Sequence, residues 1–505
     1  MNSDGDVQLP SNVTRICRCI NHEGIDKPTG KSIPQIIYYH SGVGTDSLYS
    51  SLVGGATGQG ISENIREAYS FICANYADGD EIFLIGFSRG AFTARSVSSL
   101  IKTIGLLTPI GLEHFCQIFE DWEFQALKGW KTRFPIDPWE NRPSVNSPEY
   151  LQKLLELELT RPNIGIKAVA VWDTVGALGI PKLGLFNSAT LESSFYSFVD
   201  TNVEPNIEYA FQALALDEHR TSFTPTIWEK PPGQELPRVL KQCWFPGVHS
   251  DIGGGYPEAD LANLTLAWMV SQLDNLLDLN HGSVLRLNRL GMERYEKKGQ
   301  RIREWGLGKI HNSMTPFFWL GGSTKRTPGE YRETDPKTNK FTNRRLENTN
   351  ERMHSSVRIR MGQEGLGYND KGKYDSVALK GWTMHASQEV SSDSPGGLHN
   401  PGALVKEKIK DVRWIKKLSN NKQSREIIIP EDELGDLEKE IMELWPEIAN
   451  RFDAITPGEH SKNLRRSSTL PDDHPHSNRN EGETQVTGFD GQAPEQQKPY
   501  RENTI

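Results

Sequence analysis

The segment from Glu81 to Arg95, Glu-Ile-Phe-Leu-Ile-Gly-Phe-Ser-Arg-Gly-Ala-Phe-Thr-Ala-Arg, constrains this fold more than any other stretch of the chain. Ile82 to Ile85 is a short apolar run of the kind shown by a parallel strand buried on both faces. A Gly-x-Ser-x-Gly turn follows at Gly86, Ser88 and Gly90, and the small residues from Ala91 to Leu100 suit a helix. Strand, sharp turn and helix in this order predict a nucleophile elbow. Both glycines are expected to be required by the tightness of the turn, and the Ser88 hydroxyl should stand clear of the sheet. The backbone N–H of Arg89, at the helix N-terminus, is then placed to help stabilise an oxyanion. The competing reading is a plain strand-to-helix turn with a capping serine, because a chain rich in Gly and Ser produces the pattern by chance.

A nucleophilic serine needs a base, and the base needs an orienting carboxylate. In an α/β-hydrolase these follow in the order Ser, Asp or Glu, His, each at the C-terminal end of a parallel strand. Asp173 meets this condition directly after the apolar run Ala168 to Trp172. A helix N-cap is the alternative role for it. Two histidines obey the chain order. His249 ends the apolar run Val239 to Phe245 beside a glycine-rich stretch, and His354 lies in Met-His-Ser-Ser-Val-Arg; His385 is a weaker third. If His354 is the base, His249 and Asp251 become substrate-positioning groups. His249 with Asp251 as a metal site lacks a third visible ligand. Arg89 would suit a phosphate or carboxylate on a substrate, whereas Arg95 is expected to pair with carboxylates near the elbow helix.

Composition narrows the function classes. The net charge of −9 argues against nucleic acid as the main partner. Five cysteines without zinc-type spacing fit a reduced, intracellular setting. No opening signal peptide and no run of about 20 apolar residues is visible, so a cytoplasmic, soluble protein is expected. The glycines at 42–44 and 54–60 lack phosphate-loop spacing, and the chain lacks the dinucleotide fingerprint.

Further along, helices are expected over Asn12 to Ile20, Ile61 to Tyr76, Glu204 to Leu216, Leu261 to Leu277 and Ile427 to Phe452. Strands are expected at Ile33 to His40, Ile166 to Val171 and Val239 to Phe245. A Trp-rich, mostly helical stretch from Ile110 to Leu159 reads as an insertion that forms part of a lid. Residues 290–350 read as loops and an excursion. From Pro457 onward the chain is too polar to bury an ordering core.

Three segments occur together: Gly-Phe-Ser-Arg-Gly-Ala-Phe-Thr-Ala-Arg at 86–95, Val-Trp-Asp-Thr-Val-Gly at 171–176, and Phe-Pro-Gly-Val-His-Ser-Asp-Ile-Gly-Gly-Gly-Tyr at 245–256. With Ser11-Asn12-Val13-Thr14-Arg15, Tyr39-His40-Ser41-Gly42-Val43-Gly44-Thr45 and Ala213-Leu214-Ala215-Leu216-Asp217-Glu218, the chain resembles a family of uncharacterised α/β-hydrolase-like proteins. That family has fungal and bacterial members and includes the catalytic domain of type VI secretion phospholipase effectors. The resemblance covers roughly residues 10–275. It implies a Ser-Asp-His triad that hydrolyses carboxylic esters, phospholipids in the effector branch. Ser88 and Asp173 carry over, and the histidine stays open between His354 and His249, with a lean towards His354 because it falls after the last expected sheet strand. Members usually open with an apolar strand ending in Asp-Gly-Thr, and no such strand precedes Ser11 here. Its loss would expose a sheet edge and could remove a second oxyanion donor.

The expected organisation is therefore an α/β-hydrolase-like, mostly parallel sheet flanked by helices over residues 10–390. A helical extension over 391–456 and a disordered tail over 457–505 follow. The expected partners are a lipid or other ester substrate, with transient contact at a membrane surface; the chemistry needs no cofactor. The runner-up is a catalytically weak or inactive hydrolase-fold binding protein.

Overall fold

The computed structural model describes residues 9–26, 29–41, 59–125, 131–175, 201–314, 318, 322–335, 340–390, 407–420, 423–449 and 452, all within the unit Met1–Ser461. The glycine-rich loops at 42–45 and 54–58 and the polar tail lie outside the described residues. Among those described, no helix is long and apolar enough to cross a membrane.

The core is a parallel sheet of five strands: β1 (Phe83–Phe87), β2 (Ile166–Trp172), β3 (Ile207–Ala215), β4 (Val239–Phe245) and β5 (Glu351–Met353). Their spatial order is β5-β4-β3-β2-β1, with every pairing parallel. This is an α/β fold. Strand β2 shows why these residues choose a central position. Ala168, Ala170 and Trp172 point into one core, while Val169 and Val171 point into the other, and all five are essentially fully buried. A period of two with both faces apolar is what a strand covered by helices on both sides requires.

One face is covered by α2 (Gln59–Asn75) and α3 (Arg89–Ile104), which contribute Ile65, Tyr69, Val97, Leu100 and Ile101. The other is covered by α1 (Asn12–Cys17) and α5 (Asp260–Leu273), through Ile16, Leu264, Leu266 and Trp268. At about 1.5–3 kcal/mol for each fully buried aliphatic side chain, these two faces hold the sheet in place. Between β4 and α5 lies the short helix α4 (His249–Gly253).

Four secondary-structure expectations are corrected. Residues 204–216 are not helical: Ile207–Ala215 is strand β3, between β2 and β4. Ala210 to Ala215 is buried throughout, Gln212 included, and a run buried on both faces carries no period that separates a buried strand from a buried helix. The expected helix Ile427 to Phe452 begins instead as a strand. Trp382–Val390 (β6), Glu407–Asn420 (β7) and Gln423–Pro430 (β8) form an antiparallel sheet that runs from the end of the expected catalytic domain into the region 391–456 expected to be a helical extension. Three consecutive β-branched isoleucines, Ile427, Ile428 and Ile429, pair with Lys416, Ile415 and Trp414. Only beyond Pro430 does the chain turn helical, as α6 (Asp436–Met442) and the short Pro446–Ala449. Of the expected strand Ile33 to His40, only Ser32–Pro34 pairs, with Glu23–Ile25, and Ile36 is left 74% exposed. Within 290–350, the helix His281–Lys297 and the paired strands Arg332–Asp335 and Lys340–Arg345 replace much of the expected loop.

Among the described residues, β1 is an edge strand, since no described strand pairs with its other side.

Candidate active site

Ser88 follows β1 directly and occupies φ 59°, ψ −120°. A positive φ on a residue other than glycine costs about 1–3 kcal/mol and persists only where its surroundings enforce it. Here they do so from both sides. The Ser88 N–H donates to the Trp172 carbonyl across the sheet at 3.1 Å, and the Ser88 carbonyl accepts from the Phe92 N–H at 3.2 Å to start α3. Gly86 is required sterically, because a Cβ there would lie 2.3 Å from the Gly90 carbonyl oxygen. Gly90 is not, since a Cβ added there meets nothing within 4 Å; the tight side of the elbow is the strand side alone. Gly86→Ala should therefore destabilise the fold by about 1–3 kcal/mol or more through backbone overpacking. Gly90→Ala should fall within about 0.5 kcal/mol of the parent, and chemical denaturation of the two variants checks the contrast.

Asp173 follows β2 directly. The Phe87–Trp172 register of β1 and β2 sets Ser88 and Asp173 side by side at the C-terminal end of the sheet. The Asp173 carboxylate is fully buried and fully engaged. Its Oδ1 accepts the Ala215 N–H at 3.1 Å, and its Oδ2 accepts both His249 Nδ1 at 2.7 Å and an Nη2–H of Arg326 at 2.9 Å. Burial alone would raise the carboxyl, but Arg326, His249 and the Ala215 amide outweigh it and hold Asp173 below the usual carboxylate range.

His249 opens α4 just after β4. Its backbone N–H donates to Glu218 Oε2 at 3.2 Å, while Glu218 takes Arg220 Nη2 on the same oxygen at 2.8 Å and the Ser313 hydroxyl on Oε1 at 2.9 Å. Although burial opposes it, the Arg220 contacts pull Glu218 down to about 2. The preceding turn is tied to Asp217, whose Oδ2 accepts the Gly247 N–H at 2.7 Å and the Tyr374 hydroxyl at 3.0 Å. The imidazole packs between Phe87 and Phe223, at ring-centroid distances of 4.6 and 4.8 Å. With Nδ1 donating to Asp173, Nε2 is the basic nitrogen, and it is buried without a partner among the described residues. Burial keeps His249 below its ordinary value even though the Asp173 contact opposes it.

His354, towards which the sequence leans, is placed elsewhere. It follows β5, at the far edge of the sheet from β1, and is wholly buried. Its Nε2 pairs with Glu438 Oε1 at 3.0 Å, its Nδ1 with the Ser356 hydroxyl at 2.7 Å, and its ring stacks on Phe245. Both ring nitrogens are thus committed to structural contacts, and the one to Glu438 joins α6 to the sheet. The histidine does sit after the last sheet strand, but its partner carboxylate is Glu438 rather than Asp173. His385 lies exposed on β6, against Thr383.

Asp251 is also committed elsewhere. Its Oδ2 accepts the Val248 N–H at 3.0 Å, capping α4, and its Oδ1 meets His311 Nδ1 at 2.6 Å. His311 stacks on Tyr256 at 3.9 Å. Among the described residues, no cluster of three or more His, Cys, Asp or Glu could hold a metal ion. Arg89 begins α3, half-buried, and burial lowers its guanidinium below the ordinary value. Arg95 donates to the Thr226 carbonyl at 2.8 Å and lies over the Trp228 ring. Arg326 and His311 carry no signal in the sequence, since neither sits in a strand, a helix or a motif of recognisable spacing.

This arrangement can remove a proton at His249 Nε2 and hold the resulting imidazolium against Asp173. A family model described as T6SS, Phospholipase effector Tle1-like, catalytic domain matches residues 1–272. The uncharacterized protein YEL023C of Saccharomyces cerevisiae is 27% identical over 212 residues, covering 38% of this chain and 27% of the yeast protein. The match thus spans about a quarter of that relative's length. No solved structure matches the chain.

Proposed function

Because the chain belongs to the T6SS Tle1-like phospholipase effector catalytic-domain family, we propose that it is a serine hydrolase of lipid carboxylic esters, with Ser88 as nucleophile, His249 as base and Asp173 as the group that orients the base. The observation that carries this reading is the His249 Nδ1–Asp173 contact at 2.7 Å beside a buried Nε2 without a partner among the described residues. In the first step His249 Nε2 takes the Ser88 proton as Oγ attacks the ester carbonyl carbon. The Arg89 N–H supports the tetrahedral oxyanion. Collapse breaks the bond to the leaving alcohol, which receives the proton from His249. Water then repeats the sequence on the acyl-serine, releasing the fatty acid and restoring Ser88. The substrate is a lipid ester reached by transient contact with a membrane surface.

The test is fatty-acid release from phosphatidylcholine vesicles, alongside hydrolysis of a short soluble ester. Release from both supports a lipid hydrolase; hydrolysis of the short ester alone supports an esterase for small substrates. Turnover of neither by a folded sample favours the second reading, a hydrolase-fold binding protein. The observation on that side is the position of β1, the strand that delivers Ser88, at an edge of the sheet among the described residues.

The base must be neutral to act. Since burial holds His249 below its ordinary value, the acid limb of kcat/KM is expected below about pH 6.5. A pH-rate profile with its acid limb above pH 7 would contradict this environment for the base.

A further inference from the structure

The Asp173 carboxylate serves two partners through one oxygen. Oδ2 accepts both His249 Nδ1 and Arg326 Nη2, and Arg326 is as buried as the carboxylate it touches, with 3% of its side chain exposed. The remaining carboxylate oxygen is taken by the Ala215 amide. On the arginine, Nη1 is buried with no partner among the described residues. This buried cation is therefore directed at Asp173 and not shared with a second carboxylate in contact. Arg326 is held there by its neighbours: the Thr324 N–H donates to the His219 carbonyl, the Thr327 N–H reaches the Tyr331 hydroxyl, and the Gly329 N–H donates to Glu351. A buried guanidinium is costly to place without such support.

We propose that Arg326 is a positioning residue for the triad: it locks Asp173 in its ionised form and orientation, and by drawing on the shared oxygen it keeps His249 neutral and ready to accept the Ser88 proton. This rests on the reading of Ser88, His249 and Asp173 as a triad, and it extends the working site beyond residues 1–272, the part matched by the family model. Glu218 and Arg220 flank His249 with opposite signs and neutralise one another through a bidentate contact, and Tyr331 stands beside Arg326. Arg326 is the one of these in direct contact with Asp173. Removing its charge leaves the Asp173–His249 pair free to bind a proton more tightly, whichever partner carries it. The acid limb must then move to higher pH.

The experiment uses the full chain as parent, Arg326→Met and Arg326→Lys, with two readouts: the rate of fluorophosphonate labelling against pH, and the His249 imidazole titration followed by NMR. For Arg326→Met the expected result is a rise of about one pH unit or more in both the acid limb and the imidazole titration, since one unit is a tenfold change in proton affinity. Arg326→Lys keeps the charge and should leave both within a few tenths of a unit of the parent while slowing labelling. A folded Arg326→Met with both midpoints unchanged overturns the proposal. If Arg326→Met does not fold, Arg326→Gln, which also removes the charge but keeps polar contacts, decides: both midpoints raised support the proposal, and both midpoints unchanged overturn it. A parent that never labels speaks against the triad reading, while the imidazole titration still judges Arg326.

Discussion

Ser88→Ala is expected to lose ester hydrolysis by about 10⁶-fold in kcat, the scale on which a serine hydrolase fails when its nucleophile is removed. The elbow explains why the loss should be confined to activity. Ser88 is held by its backbone N–H and carbonyl, through Trp172 and Phe92, so removing the hydroxyl leaves both anchors intact. The variant should unfold within a few degrees of the parent. Ser88→Gly should be equally inactive but at least as stable, because glycine relaxes the strain that a positive φ places on serine. Initial rates of fatty-acid release and thermal unfolding, measured together on the two variants, check this. Residual activity within tenfold of the parent would remove Ser88 from the chemistry.

The second large effect separates two histidines. His249→Ala should lower kcat by a similar factor, because members of a triad act as a unit and single losses are far from additive. Its cost to the fold should be small beside that effect. His354→Ala should do the reverse. It deprives the buried Glu438 of its contact at 3.0 Å and undoes the link between α6 and the sheet. Leaving a buried carboxylate short of a partner costs about 1–3 kcal/mol or more. The expected outcome is a clear fall in the denaturation midpoint, with turnover largely kept at temperatures where the variant is folded. An inactive but fully stable His354→Ala, with His249→Ala active, would exchange the two roles.

The contrast between these histidines also marks how far the sequence carries. Chain order and strand ends restrict the base to two candidates, and both do follow sheet strands, β4 and β5. What separates them is the direction in which each ring turns, and that is decided by distant residues: Asp173 for His249, Glu438 for His354. Neither distance in the chain nor local pattern contains that choice. The elbow was legible because its requirement is local. A strand, a glycine whose Cβ would strike the Gly90 carbonyl, and a helix all lie within about twenty residues. Strand β3 was misread as a helix because total burial erases periodicity. The strand at Gln423–Pro430 is hidden because its isoleucines stand only a few residues before a true helical segment, with Pro430 and three acidic residues between them. Arg326 was illegible for a different reason. Its partner is 153 positions away, and its own tract is polar and unpatterned.

The most direct test of the account is covalent labelling of the purified, folded chain by a fluorophosphonate, with the adduct located by peptide mass spectrometry. An activated serine reacts through the same Oγ that would attack an ester, whatever the natural lipid. The account predicts a single adduct, on Ser88, that forms faster as His249 loses its proton and disappears in His249→Ala. No adduct across the pH range where the chain is folded, or an adduct on a different serine, would contradict it.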